Sequence, residues 1–128
     1  MVILSVDDDP EDIEIFEEAV KETDSAARCL IAKNGKQAME ILQADLIPDF
    51  IFLDINMPVI NGKSVLLEIR KDKKLENIPV VMYSTTMNSN EIEEYKNIGA
   101  DHFLTKHNTF QDLCDQLARI LSSESGGR

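Results

Sequence analysis

Pro48-Asp49-Phe50-Ile51-Phe52-Leu53-Asp54 is the stretch on which the fold turns. Its core is a short unbroken apolar run, opened by a proline and ended by a carboxylate. A run with no polar face reads as a strand covered on both sides, the pattern of a parallel sheet. Downstream, Met57-Pro58 and Asn61-Gly62 punctuate a loop, and Val65, Leu66 and Ile69 mark one face of a helix. Upstream, Ala38, Ile41 and Leu42 line another helix, preceded by a turn at Asn34-Gly35 and a strand over 28–32.

The same alternation continues to both ends. Val2–Val6 is a first strand. Asp9 can cap a helix whose first turn takes Pro10, Glu11 and Asp12 and whose buried stripe is Ile13, Phe16, Ala19 and Val20. Pro79–Tyr83 is a fourth strand. Ser89 or Asn90 is expected to cap a fourth helix with a thin stripe of Ile92, Tyr95 and Ile98, ended by Gly99. His102-Phe103-Leu104 is a short fifth strand. Thr109 and Asp112 form a capping-box pattern before the stripe Phe110, Leu113, Leu117, Ile120 and Leu121. Residues 122–128 are polar and glycine-rich and read as a flexible tail. Five strands alternating with five helices predict one α/β domain over 1–121, with a parallel sheet between two helical layers.

Composition narrows the function. The chain has 128 residues, 43% of them apolar, which suits one domain with a real core. Lys and Arg number 13 against 24 Asp and Glu, a net charge of −11. That balance opposes nonspecific nucleic-acid binding and attachment to an anionic membrane surface. Cys29 and Cys114 have no neighbours at metal-ligand spacing, so a zinc module is excluded. No apolar run approaches the roughly 20 residues of a membrane span, and a cytoplasmic protein is expected.

In open parallel sheets, ligands bind beyond the carboxyl ends of the strands. Those ends carry Asp7, Asp8 and Asp9, then Asp54, then Ser84, Thr85 and Thr86, and finally Lys106. Asp9 is accounted for as a helix cap. The others would converge at one edge. Two carboxylates 4 Å apart repel by about 4 kcal/mol at an effective dielectric near 20. A divalent cation relieves that repulsion, and an all-oxygen donor set favours Mg2+ over zinc. Asp54 is also placed to attack phosphorus and form an acyl phosphate. Lys106 and the metal would neutralise the transferred charge, and the Ser84 hydroxyl could bond a phosphoryl oxygen.

These residues together resemble a known family. Val6-Asp7-Asp8-Asp9, Leu53-Asp54-Ile55-Asn56-Met57-Pro58 with Asn61-Gly62, Ile78–Ser84, Gly99-Ala100-Asp101 and Lys106 are similar, in order and spacing, to a bacterial response-regulator receiver domain, stand-alone and chemotaxis-Y-like. The likeness spans residues 2–121. It implies a flavodoxin-like three-layer (βα)5 sandwich with strand order 2-1-3-4-5. It implies two-component phosphorelay signalling, with Asp54 taking a phosphoryl group from a histidine kinase or histidine phosphotransfer protein. By the same resemblance, Asp8 and Asp54 ligate Mg2+ directly, Asp7 acts largely through water, and the backbone carbonyl of Asn56 completes the protein's share. Lys106 pairs with the phosphoryl group, Ser84 is the switch hydroxyl, and Phe103 holds the switch aromatic position. The output surface would be the fourth helix, fifth strand and fifth helix, contacting a target protein rather than nucleic acid or membrane.

Three positions depart from the family pattern. His107 replaces the proline that usually follows the lysine in a cis bond; a cis bond before a non-proline costs about 2.5–4 kcal/mol. Thr85 stands where a smaller residue is common, and its branched side chain would narrow access to Asp54. Phe103 lacks the hydroxyl of the common tyrosine. A haloacid-dehalogenase-like phosphohydrolase would need a carboxylate at Asn56 and a cap insertion. A flavodoxin would need a hydroxyl-rich phosphate loop at 7–9. A phosphorylation-independent interaction module on the same fold remains the alternative. A DNA-binding effector would need a further domain after residue 121, so the expectation is a stand-alone receiver that signals by protein contact or relays phosphate onward, a signalling protein rather than an enzyme.

Overall fold

The computed structural model describes residues 1–44, 47–55, 62–85, 88–106 and 109–125. Five strands are β1 (Val2–Val6), β2 (Arg28–Ala32), β3 (Phe50–Asp54), β4 (Val80–Ser84) and β5 (His102–Thr105). They alternate with α1 (Pro10–Thr23), α2 (Gly35–Gln43), α3 (Gly62–Lys71), α4 (Ser89–Ile98) and α5 (Phe110–Ser125). All strand pairs are parallel, in the order β2-β1-β3-β4-β5. The flavodoxin-like arrangement implied above is therefore the one observed.

The apolar run in β3 explains the layering. Successive strand residues point to opposite faces. Phe50 and Phe52 join Phe16 of α1 and Leu113 and Leu117 of α5 on one side of the sheet. Ile51 and Leu53 join Leu42 of α2, Leu66 of α3 and Tyr95 of α4 on the other. All five β3 residues are buried. Because both faces are occupied, the free edge for chemistry is the carboxyl end of the strands.

Local signals act as the sequence suggests, with three differences. The Asp9 side chain accepts from Glu11 N at 3.0 Å and caps α1. Thr109 Oγ1 accepts from Asp112 N at 3.1 Å. The cap of α4, however, is Asn88 rather than Ser89 or Asn90: its Oδ1 accepts from Glu91 N at 2.9 Å. Second, α5 continues to Ser125, past the expected start of a tail at residue 122. Ser122 Oγ and Ser123 Oγ bond the carbonyls of Ala118 and Ile120 at 2.6 and 2.8 Å, so these polar residues extend the helix. Third, Arg70, which beside Lys71, Lys73 and Lys74 reads from the sequence as part of a solvated basic helix end, is tied down by tertiary contacts instead. Its guanidinium bonds the carbonyls of Gly99, Leu75, Glu76 and Ile78 and the carboxylate of Asp101. Among the described residues no helix is long and apolar enough to cross a membrane.

Candidate functional site

β1 and β3 run side by side, so the residues that end them arrive together. Asp7 follows β1 and Asp54 closes β3, and each is almost wholly buried. Asp8, next in the chain, is exposed. One carboxylate oxygen from each of the three lies within 4.8 Å of the others. The helix after β3 begins tightly beneath them: a Cβ on Gly62 would sit 3.1 Å from the Asp54 carbonyl oxygen and from Ile55 Cα. Glycine at that position lets α3 start against the backbone that carries Asp54.

β4 and β5 supply the other side. Ser84 ends β4, buried, in register with Thr105. Lys106 N donates to Ser84 O at 2.9 Å, which carries the ladder one residue further and aims the lysine back across the strand ends. Its Nζ lies 3.1 Å from Asp54 Oδ2, 3.3 Å from Asp7 Oδ2 and 3.0 Å from Asp12 Oδ2. The ammonium also stands over the Tyr83 ring, 5.0 Å from its centroid.

Electrostatics follow from burial and company. Burial pushes the Asp7 carboxyl up to about 6; the Asp9 N–H bond at 3.0 Å and the Lys106 charge oppose the rise, and Asp54 adds to it. Burial works against the Lys106 charge. The Asp12 hydrogen bond and the Asp7 and Asp54 charges outweigh it and hold the ammonium above its ordinary range. Burial likewise raises the Tyr83 phenol to about 12. A hard divalent cation suits this site, since the donors are all oxygen and crowded carboxylates need positive charge.

The structure thus brings together Asp7, Asp8, Asp54, Ser84 and Lys106 at one sheet edge. Thr85 is exposed just beyond Ser84. Phe103 is half-buried on β5 and lines a shallow groove with Gln116, Arg119 and Ile120 of α5. Asn56, Thr86 and His107 lie outside the described residues, as do Met57, Pro58 and Asn61. Both cysteines are free thiols. Sequence reasoning missed Asp12 and Tyr83. Asp12 was legible only as an acid favouring the helix dipole, and Tyr83 only as a core residue. One signal was available: a residue three past the N-cap faces the same end of the sheet as the cap itself.

Comparison with known proteins identifies the family and the fold. Residues 3–118 match the family described as "Response regulator receiver domain". The "Response regulator Rcp1" of Synechocystis sp. is 31% identical over 127 residues, covering 94% of this chain and 86% of that protein. The Mn(2+)-bound crystal structure of response regulator Rcp1 superposes with a TM-score of 0.81, at 31% identity over 94% of this chain and 91% of the other. The phosphorylated cyanobacterial phytochrome response regulator RcpA gives a TM-score of 0.83, at 30% identity over 93% and 89%.

Proposed function

The chain belongs to the response regulator receiver domain family of two-component signalling, and from that premise we propose that it takes a phosphoryl group from a phosphohistidine onto Asp54. The observation that carries the proposal is the placement of Asp54: buried at the end of β3, within the carboxylate triad, 3.1 Å from the Lys106 ammonium. An Asp54 carboxylate oxygen attacks phosphorus as the N–P bond of the donor breaks. The imidazole leaves with the electron pair and gains a proton, and an acyl phosphate remains on Asp54. Lys106 faces the added charge. The Ser84 hydroxyl donates to a phosphoryl oxygen once the group is present, and the Phe103 ring follows it inward.

Mg2+ is the proposed cofactor, held by Asp8 and Asp54, by Asp7 largely through water, and by the Asn56 carbonyl. When bound, the ion supplies charge neutralisation at the phosphoryl oxygens. The Mn(2+)-bound Rcp1 and the phosphorylated RcpA support this reading by likeness. The proposed donor is a histidine kinase or histidine phosphotransfer protein, in the cytoplasm. The output is a changed protein-binding face on α4, β5 and α5. The receiver unit is assigned to 1–121, and residues 122–125 continue its last helix, α5. Its chemistry resets its own state, so its role is signalling rather than metabolic catalysis.

Intact mass after incubation with acetyl phosphate, with and without Mg2+, tests this on wild type and Asp54→Asn. One phosphoryl adduct that needs both Mg2+ and Asp54 is expected. If no adduct forms and beryllofluoride does not bind either, the chain is a phosphorylation-independent module on this fold.

A further inference from the structure

Asp12 lies in the first turn of α1 rather than at the end of a strand, yet shares Lys106 equally with the site carboxylates. Asp12 Oδ2 is 3.0 Å from Nζ, against 3.1 Å for Asp54 and 3.3 Å for Asp7. Its freedom to do so has a local cause. An acid at the third residue of a helix commonly turns back to the N–H of the capping residue. Here the capping residue is Asp9, and its N–H already donates to Asp7 Oδ1 at 3.0 Å. The Asp12 carboxylate is therefore released to reach a lysine 94 residues along the chain. The Tyr83 ring contacts the same ammonium.

A lysine ammonium has three N–H donors. Asp7, Asp12 and Asp54 offer it three acceptors. A phosphoryl group on Asp54 needs those same donors. We propose that Asp12 is a positioning residue that competes with the phosphoryl group for Lys106, parking the ammonium in the resting site and weakening the phosphorylated state. This rests on Asp54 being the phosphoacceptor. Removing the Asp12 charge frees one lysine donor and takes a negative charge away from an incoming anion, so both effects point the same way. Asp12 is partly exposed (30% for its side chain), which screens the gain and keeps it moderate.

Calorimetric titration of beryllofluoride in excess Mg2+ reads this directly on wild type, Asp12→Asn and Asp12→Glu. Asp12→Asn should bind about three- to tenfold more tightly than wild type. Asp12→Glu, which keeps the carboxylate, should return to the wild-type value. A role confined to the helix dipole would move thermal stability and leave the beryllofluoride affinity alone. Unchanged or weaker binding by Asp12→Asn, with normal wild-type binding, overturns the competition and leaves the phosphoacceptor reading intact. A wild type that binds Mg2+ but no beryllofluoride overturns the phosphoacceptor reading, and the competition with it. If Asp12→Asn fails to fold, Asp12→Ser makes the same comparison.

Discussion

Lys106 brings one positive charge to a place where Asp7, Asp12 and Asp54 all reach it, with its own side chain only 7% exposed. Removing it leaves the buried carboxylates uncompensated, a loss of about 3 kcal/mol for a set of this kind. Lys106→Met should therefore melt well below wild type in the absence of divalent cations. Mg2+ should then recover more of the melting temperature in the variant than it adds to wild type, because no ammonium competes with it. An equal deficit with and without Mg2+ would assign the loss to packing of the lysine stem. Asp7 makes a second prediction. Its carboxyl titrates near 3.8 in an unfolded chain and near 6 in the fold, mainly through burial. The fold holds the proton more tightly, so this group's stabilising contribution is complete below pH ~4 and is lost as pH rises through about 6. The difference is about 3 kcal/mol. A bound cation must displace that proton. Below pH 6, Mg2+ affinity should fall about tenfold per pH unit and binding should release close to one proton, read by calorimetry in two buffers of different ionisation heat. Proton release that is absent at pH 5 would place the ion away from Asp7. Residues at strand ends were legible because parallel sheets deliver them to one edge. Asp12 was not, because the group it reaches is Lys106, 94 residues along the chain, and only the fold brings the two together.

Among the elements, α4 is held most lightly. Tyr95 is its one buried residue among those described. The exposed Lys63–Glu94 pair ties it to α3. Its C-terminal end is different: Gly99, at φ 127°, presents its carbonyl to Arg70 Nε at 3.0 Å and to Nη2 at 2.8 Å. The same guanidinium reaches Asp101, whose Oδ2 also accepts from Val80 N at 2.9 Å. One arginine thus fastens the end of α3, the approach to β4, the end of α4 and the start of β5. Gly99→Ala would put a Cβ 2.8 Å from Arg70 Nε on a backbone that favours glycine. It should cost about 1–3 kcal/mol in urea unfolding. Arg70→Leu strands several carbonyls and should cost about 2–3 kcal/mol. Since both break the same contact, the double variant should lose less than the sum; additive losses would mean that the two act separately. The ten elements were legible from period and punctuation, down to the poorly buried α4. Its start was not, because Asn88, Ser89 and Asn90 are all good caps, and only the one whose oxygen meets an N–H three residues on becomes the cap. Arg70 was hidden for a related reason: its run with Lys71, Lys73 and Lys74 looks like a solvated helix end until the chain returns at Gly99.

For the whole molecule, the net charge of −11 acts against compactness everywhere, while the Asp7, Asp8 and Asp54 triad concentrates the same repulsion at one edge. The two can be separated by what relieves each. Simple salt shortens the screening length from about 30 Å at 0.01 M to about 3 Å at 1 M, and acts on every exposed charge alike. NaCl should therefore raise the melting temperature of wild type and Asp54→Asn by similar amounts. Mg2+ added at constant ionic strength leaves the screening unchanged and acts only where it binds. At a hundredfold excess over its dissociation constant a ligand stabilises by about 2.7 kcal/mol. For a domain of this size that is roughly 10 °C. The wild type should show that rise and Asp54→Asn a small fraction of it. The variant should also start higher than wild type in the absence of Mg2+, because one of the crowded charges is gone. If Mg2+ raised both proteins equally at fixed ionic strength, the ion would be acting on the diffuse acidic surface, and the metal would have to be removed from the proposed site.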